Sequence, residues 1–349
     1  MSGRDQVLVT GGSGFLGAHT VALLLQNGYL VRTTVRQPKR EPDVRAMLDV
    51  AGVDAGDRLR FVTADLTRDE GWVEATRGCR YVLHVASPFP PQAPNDDDEV
   101  IGPARHGTLR VLRAACAGGA ERVVLTSSFA AIGYSPKSSG TPYDETDWTD
   151  PEQPGLSAYV RSKTIAERAA WDFVTGGVDL QMSVVNPVGI FGPVLGPDYS
   201  GSIQLIRRLL DGSMRAIPRL LFGVVDVRDV ASLHLAAMTA PQAAGERFLA
   251  AAGEQFGLRQ TAETLRRSLG HDAAAVPTRV LPDWVAKLGG RVQPQLAAVA
   301  REVGVRKAFT SDKARRVLHW RPRTNEETVV ATARSLLDHD LIRRQPAPA

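Results

Sequence analysis

Tyr159 and Lys163 stand four residues apart in the run YVRSK. On a helix that spacing stacks a phenol and an amine on one face, one turn apart. A phenol can deliver a proton to an oxygen that is gaining negative charge, and a neighbouring ammonium favours the phenolate left behind. The pair gains meaning from its company. The run VVLTSS at 123–128 closes a strand-like segment on Thr126, Ser127 and Ser128. A serine at a strand end either caps a turn or presents its hydroxyl to a crevice. Phenol, amine and hydroxyl together could donate hydrogen bonds and a proton to a carbonyl oxygen that is receiving a hydride.

A hydride needs a carrier. VLVTGGSGFLG at 7–17 places Gly11, Gly14 and Gly17 three apart, after a strand-like run and at the start of a helical one. In that setting the glycines permit a tight turn, close approach of backbone N–H groups to a pyrophosphate, and close packing of helix on strand. Thr10, Phe15 and Leu16 complete the loop, and the helix N-terminus adds partial positive charge. The segment after the second strand, RTTVRQPKR at 32–40, has no carboxylate for ribose hydroxyls. Arg36, with Lys39 or Arg40 behind it, suits a 2′-phosphate instead, so NADP(H) is expected rather than NAD.

The elements that must position these groups alternate. Strand-like runs begin at Gln6, Tyr29, Leu59, Tyr81, Arg122 and Gln181, with helical spacing between them, as over Phe15 to Asn27 and Ala104 to Ala117. Strands joined by crossover helices form a parallel sheet, and near-continuous Val, Leu and Ile mark strands covered on both faces. The expected fold is α/β, a doubly wound parallel-sheet Rossmann fold with a smaller mixed α/β C-terminal substrate domain. The boundaries read as 1–188 for the NADP(H)-binding domain with a return at 224–250, 189–223 and 251–342 for the substrate domain, and 343–349 as a tail.

Composition sets the outer limits. In 349 residues, 43% hydrophobic and 23% charged with net charge +4, the chain matches a soluble globular protein. Scattered arginines give no nucleic-acid surface, and no apolar run is long enough for a membrane span. Cys79 and Cys116 lack metal spacing, so no metal is expected and a reducing, cytoplasmic setting is. The acidic run Asp96 to Glu99 reads as a solvated loop.

Taken in order, TGGSGFLG, ADL at 64–66, HVASP at 84–88, TSS at 126–128 and YVRSK at 159–163 resemble the extended short-chain dehydrogenase/reductases. The likeness continues through NPVGIFGPVLG, VDVRDVASLHLAAM and VLHWRPR. TVR, GCRYVLHVASP and FGPVLG look most like the branch of dihydroflavonol reductases, cinnamoyl-CoA reductases and microbial aldehyde or ketone reductases.

The resemblance implies Tyr159 as general acid/base, Lys163 as the group that lowers its pKa and holds the nicotinamide ribose, and Ser128 as the substrate-binding hydroxyl. It implies Asp65 and Leu66 beside the adenine, Val85, Ala86 and Ser87 along the cofactor, and Asn186 and Pro187 at the carboxamide. For Asp65 and Asn186 a capping or turn role stands equally open. Where relatives carry an asparagine in N-x-x-G-T, this chain has His106 before Gly107 and Thr108. Either His106 replaces that relay or it packs as a buried histidine. The implied reaction is NADPH-dependent reduction of an aromatic or aliphatic aldehyde or ketone, reversible as alcohol oxidation, by a monomer or homodimer. The alternatives are an NAD-dependent sugar-nucleotide epimerase or dehydratase and a non-catalytic NADP-binding protein. Apolar Phe129 and Ala130 follow Ser128 where dehydratases carry an acidic pair.

Overall fold

The computed structural model describes residues 5–88, 96–137, 140–197, 199–292 and 300–342. The expected tail at 343–349 lies outside them. The chain begins as β1 (Gln6–Val9), α1 (Phe15–Gln26), β2 (Leu30–Val35), α2 (Glu41–Val50), β3 (Leu59–Thr63), α3 (Trp72–Thr76), β4 (Tyr81–His84), α4 (Asp98–Ala117), β5 (Arg122–Thr126), α5 (Ala158–Thr175) and β6 (Gln181–Pro187). It continues as β7 (Gly189–Phe191), α6 (Gly201–Leu210), β8 (Leu221–Phe222), β9 (Val224–Asp226), α7 (Val227–Thr239), β10 (Arg247–Ala250), β11 (Phe256–Gly257), α8 (Leu258–Leu269), α9 (Asp283–Val292), α10 (Asp312–Leu318) and α11 (Asn325–Asp338).

Seven strands form one sheet in the order β10-β6-β5-β4-β1-β2-β3, every neighbour parallel. The order reverses between β1 and β4, which opens a crevice at their carboxyl ends. Both faces are covered, and the strand residues sort by alternation. Val7, Val9, Leu83, Val124 and Val185 pack with α1, α2 and α7, whereas Leu8, Val82, Val123, Leu125 and Val184 pack with α3, α4 and α5. All of these side chains are essentially removed from water. At about 25 cal/mol per Å² of apolar surface, each such burial contributes roughly 1.5–3 kcal/mol.

A separate core gathers Phe191, Ile203, Ile206, Leu209, Phe256, Leu265, Val329 and Leu336 from α6, α8, α11 and the short strands. The strand read at 224 pairs with β7 outside the main sheet, while α7 packs on α1 and β10 joins β6. Arg122 fastens α7 to the sheet: its guanidinium donates to the carbonyls of Ala237 and Ala240 at that helix's C-terminus. Ala314 and Trp320 belong to the core around the main sheet, although they fall within the stretch read as substrate domain.

One local reading changes. The acidic run is not a loop: Asp98 and Glu99 open α4, where carboxylates complement the helix dipole, and Asp97 precedes them and pairs with Arg161 at 3.0 Å. Both cysteines are free thiols. Among the described residues no helix is long and apolar enough to cross a membrane, and no metal-binding cluster occurs.

His19, His84 and His234 are buried, and that burial is the leading reason their pKa values fall to about 4, about 3 and about 4. Unfolded histidines titrate near 6.5. Between those values the unfolded chain binds more protons, so this stability is complete above about pH 6.5 and is lost as pH falls through the folded values. Each group contributes on the order of 3–5 kcal/mol in full, of which roughly 2–3 kcal/mol is lost by pH 4.5. Denaturant midpoints measured from pH 7 to 4.5 are expected to fall steeply, and His19→Gln is expected to flatten the slope. An unchanged slope in that variant contradicts the assignment.

Candidate active site

The loop from β1 to α1 is shaped by its glycines unequally. Gly11 has φ of +71°, and a Cβ there would press on Ala86 at 3.0 Å. A Cβ at Gly12 would meet Thr33 Oγ1 at 2.1 Å, and one at Gly17 would meet the Gly11 carbonyl oxygen at 2.1 Å. These positions are glycine because the protein's own atoms fill the space. At Gly14 a Cβ would make an ordinary 3.4 Å contact. Packing does not demand glycine there, and a position without a side chain suits backbone approach by a pyrophosphate. Gly14 is also the N-cap of α1, with no side-chain cap and no acidic residue in the first turn. An uncapped N-terminus over a glycine turn fits an anion.

The loop is braced from both neighbouring strands. Thr34 Oγ1 accepts from Gly11 N at 2.9 Å, and Thr33 Oγ1 donates to Val9 O at 2.8 Å. Thr10 Oγ1 accepts from Ala86 N at 3.0 Å and pairs with His84 Nδ1 at 2.9 Å. The turn after β4 is thereby held against the glycine loop. Val85 and Ala86 are half-buried there, and Ser87 is exposed.

At the other end of the crevice, Arg36 is exposed just past β2, and Lys39 is exposed in the 3-10 turn Pro38–Arg40. Arg40 is engaged with Asp43 at 2.9 Å. Asp65 Oδ1 accepts from Thr67 N and Thr67 Oγ1, both at 2.8 Å. Those bonds lead in lowering its pKa, with the charges of Arg36 and Arg68 assisting against burial. The turn role of Asp65 is thus realised, next to Arg36. Leu66 is buried against Gly107, where a Cβ would lie 3.0 Å from its own.

The chemistry-bearing groups meet at the ends of β5 and the start of α5. Ser157 caps α5, its Oγ accepting from Val160 N, so Tyr159 falls in the first turn and Lys163 in the second. Ser128 is the N-cap of a 3-10 turn over Phe129–Ala131, and its Oγ accepts from Ala130 N at 3.1 Å. The capping and crevice roles of this serine coincide: the cap fixes Oγ where Tyr159 OH donates to it at 3.3 Å. Tyr159 is 39% exposed, which leaves its ring edge open to a ligand.

One expectation reverses. The phenol of Tyr159 is raised, not lowered, among the protein's own groups, because burial around its hydroxyl outweighs the bond to Ser128. Burial depresses the Lys163 ammonium as well, to about 8, against support from Glu167. Lys163 faces His84, whose protonation its charge disfavours. Beside Ser128 stands an aromatic cluster: Phe129 lies 6.3 Å from Tyr134, 6.0 Å from Tyr143 and 5.3 Å from Phe309 between ring centres. Tyr134 is pushed up to about 12, first by burial, then by Glu302 and Tyr159.

Asn186 and Pro187 end β6 and are buried. The Asn186 amide turns into the protein, donating to Glu167 Oε2 at 2.7 Å and to Ser128 O at 3.2 Å. His106 does not pack as a buried histidine: it is exposed on α4 beside Arg105, 3.3 Å from its guanidinium. Counted back from Gly107, the place of the relatives' asparagine falls on Ala104, which is buried and apolar.

Sequence reasoning passed over Thr33, Thr34, His84, Glu167 and Arg247. A signal existed for Glu167, which follows Lys163 by four residues on the same helix face. Arg247 had none, because its contact spans eighty residues.

Comparison with known proteins agrees with this geometry. Residues 7–288 match the model of the NAD dependent epimerase/dehydratase family. The chain is 38% identical to cinnamoyl-CoA reductase CAD2 of Medicago truncatula over 248 residues, 70% of this chain and 75% of that protein. It is 35% identical to tetraketide alpha-pyrone reductase 2 of Arabidopsis thaliana over 247 residues, 69% and 76% of the two chains. Yeast methylglyoxal/isovaleraldehyde reductase Gre2 complexed with NADPH superposes with a TM-score of 0.78 at 25% identity, covering 96% of this chain and 99% of that one. With its glycine loop, crossover topology and Ser-Tyr-Lys arrangement, the chain belongs to the NAD dependent epimerase/dehydratase family, among the extended short-chain dehydrogenase/reductases.

Proposed function

We propose that this protein is an NADPH-dependent carbonyl reductase acting on an aromatic or aliphatic aldehyde or ketone. The observation that carries the reading is the 3.3 Å bond between Tyr159 OH and Ser128 Oγ, made at the sheet edge that also carries the glycine loop. The aromatic cluster beginning at Phe129 packs next to Ser128 and gives the site an apolar flank. Reductases among the relatives, and NADPH in the yeast Gre2 structure, support the same reading.

NADPH, when bound, supplies the hydride. Residues 1–188 with the return at 224–250 would hold it, with the pyrophosphate at Gly11, Gly14 and the start of α1, and the 2′-phosphate at Arg36 and Lys39. Residues 189–223 and 251–342 would shape the substrate side. Ser128 Oγ already accepts from Ala130 N, which leaves its own proton for the substrate oxygen. Tyr159 donates the second hydrogen bond and then its proton. A raised pKa keeps the phenol protonated at neutral pH, the form that reduction requires. Lys163 stabilises the phenolate that remains. The acid-free sequence Phe129, Ala130 after Ser128 gives no base for the elimination that a dehydratase performs.

Tyr159→Phe is expected to lower kcat for carbonyl reduction by about 10²–10⁴-fold, with NADPH binding by fluorescence unchanged. Retained turnover in that variant removes the tyrosine from the mechanism. Arg36→Ala is expected to weaken NADPH binding by about 10–100-fold while NADH binding holds, the loss of charge-assisted bonds to one phosphate. Equal effects on the two nucleotides would place the 2′-phosphate elsewhere.

A further inference from the structure

Glu167 is fully buried, yet it sits one turn beyond Lys163 at the centre of a polar cluster. Its carboxylate accepts from Ser127 Oγ at 2.5 Å, just past β5, and from Asn186 Nδ2 at 2.7 Å on β6. It also accepts from Arg247 Nε at 2.6 Å on β10, and from Trp171 Nε1 at 3.4 Å on its own helix. Arg247 is itself almost wholly buried, donating to the carbonyls of Glu145 and Asp147 and lying 3.8 Å over the Trp148 ring. Two of the donors reaching Glu167, Ser127 and Asn186, sit at the ends of β5 and β6, next to Ser128 and Pro187.

We propose that Glu167 is a positioning residue of the site: its buried carboxylate locks α5 to β5, β6 and β10 and keeps Lys163 charged beside Tyr159. This deepens, and rests on, the reductase reading.

A carboxylate is acceptor-only, and here it satisfies donors from three strands at once. Sliding α5 by a fraction of a turn would break all three bonds together, so the lock fixes where Tyr159 meets Ser128. Removing one partner of a buried pair leaves an uncompensated charge, which is why the lock holds firmly. Electrostatically, Lys163 faces Tyr159 and Glu167 from α5 and His84 from β4. His84 is held neutral, Tyr159 is held as the neutral phenol, and α4 presents Arg105 and His106 to solvent. Glu167 is therefore the anion that sustains the ammonium. Asn186 follows the same logic: its amide is oriented by Glu167 and Ser128 O, and its Oδ1 is left buried without a partner.

The test reads Lys163 directly. Competitive acetylation across a pH series, with Lys163 followed by mass spectrometry, gives the titration midpoint of that amine without cofactor or carbonyl. In Glu167→Gln the midpoint is expected to fall by about one pH unit, and the alkaline limb of kcat/KM to move the same way. Should that variant fail to fold, Glu167→Gln with Arg247→Met removes both charges and leaves none unpaired, with the same fall expected. Ser127→Ala breaks one strut but keeps the carboxylate, so its midpoint should stay at the parent value. An unchanged Lys163 midpoint in the folded double variant overturns the proposal, as does an equal fall in Ser127→Ala. A parent that binds NADPH and reduces no carbonyl counts against the reductase reading alone, since the labelling result on Glu167 stands apart from turnover.

Discussion

A parallel sheet has one edge at which every strand ends, and the rest of this structure follows from that constraint. Crossover connections must run from that edge, so the loops after β1, β2, β4, β5 and β6 are delivered to a single side of the molecule. The reversal of strand order between β1 and β4 separates those loops enough to admit a ligand. Nothing about Gly11, Ala86, Ser128 or Asn186 individually would make a site. They become one because Val, Leu and Ile on both faces of the strands bury the sheet and fix its register to within a residue.

Within that frame, buried polar groups set the fine geometry. Thr10 bridges the backbone after β4 and the ring of His84, tying the glycine loop to the neighbouring strand end. The pair of Glu167 and Arg247 does the same for α5 across three strands. Such pairs contribute little net stability, because desolvation opposes their attraction, but they allow one arrangement and penalise its alternatives. The same burial that makes these contacts strong also acts on the reactive groups: it raises Tyr159 and depresses Lys163. Burial thus favours the protonated phenol, the form the proposed reduction requires.

The alternation of strand and helix made the sheet legible, because parallel strands buried on both faces read as continuous apolar runs, as in Val7 to Val9 and Val123 to Leu125. The spacing of Gly11, Gly14 and Gly17 and of Tyr159 and Lys163 was equally plain, since each is local to one loop or one helical turn. What stayed hidden is non-local. The contact of Arg247 with Glu167, the pairing of β9 with β7, and the return of Ala314 and Trp320 to the main core depend on which distant segments meet. The acidic run was misread because Asp98 and Glu99 carry the same composition in a solvated loop as in the first turn of a helix. His106 was misread because a histidine next to a buried Gly107 can still project from the opposite face of α4.

These features support the proposed transfer of a hydride to a carbonyl oxygen held by Ser128 and Tyr159. The most direct measurement uses NADPH carrying deuterium at both hydrogens of the transferring carbon, with an aldehyde or ketone that the protein consumes, and locates the label by NMR. The account predicts one deuterium on the carbinol carbon of the alcohol for each NADPH oxidised. An alcohol without the label, or NADPH that binds while its deuterium never reaches the substrate, would contradict it.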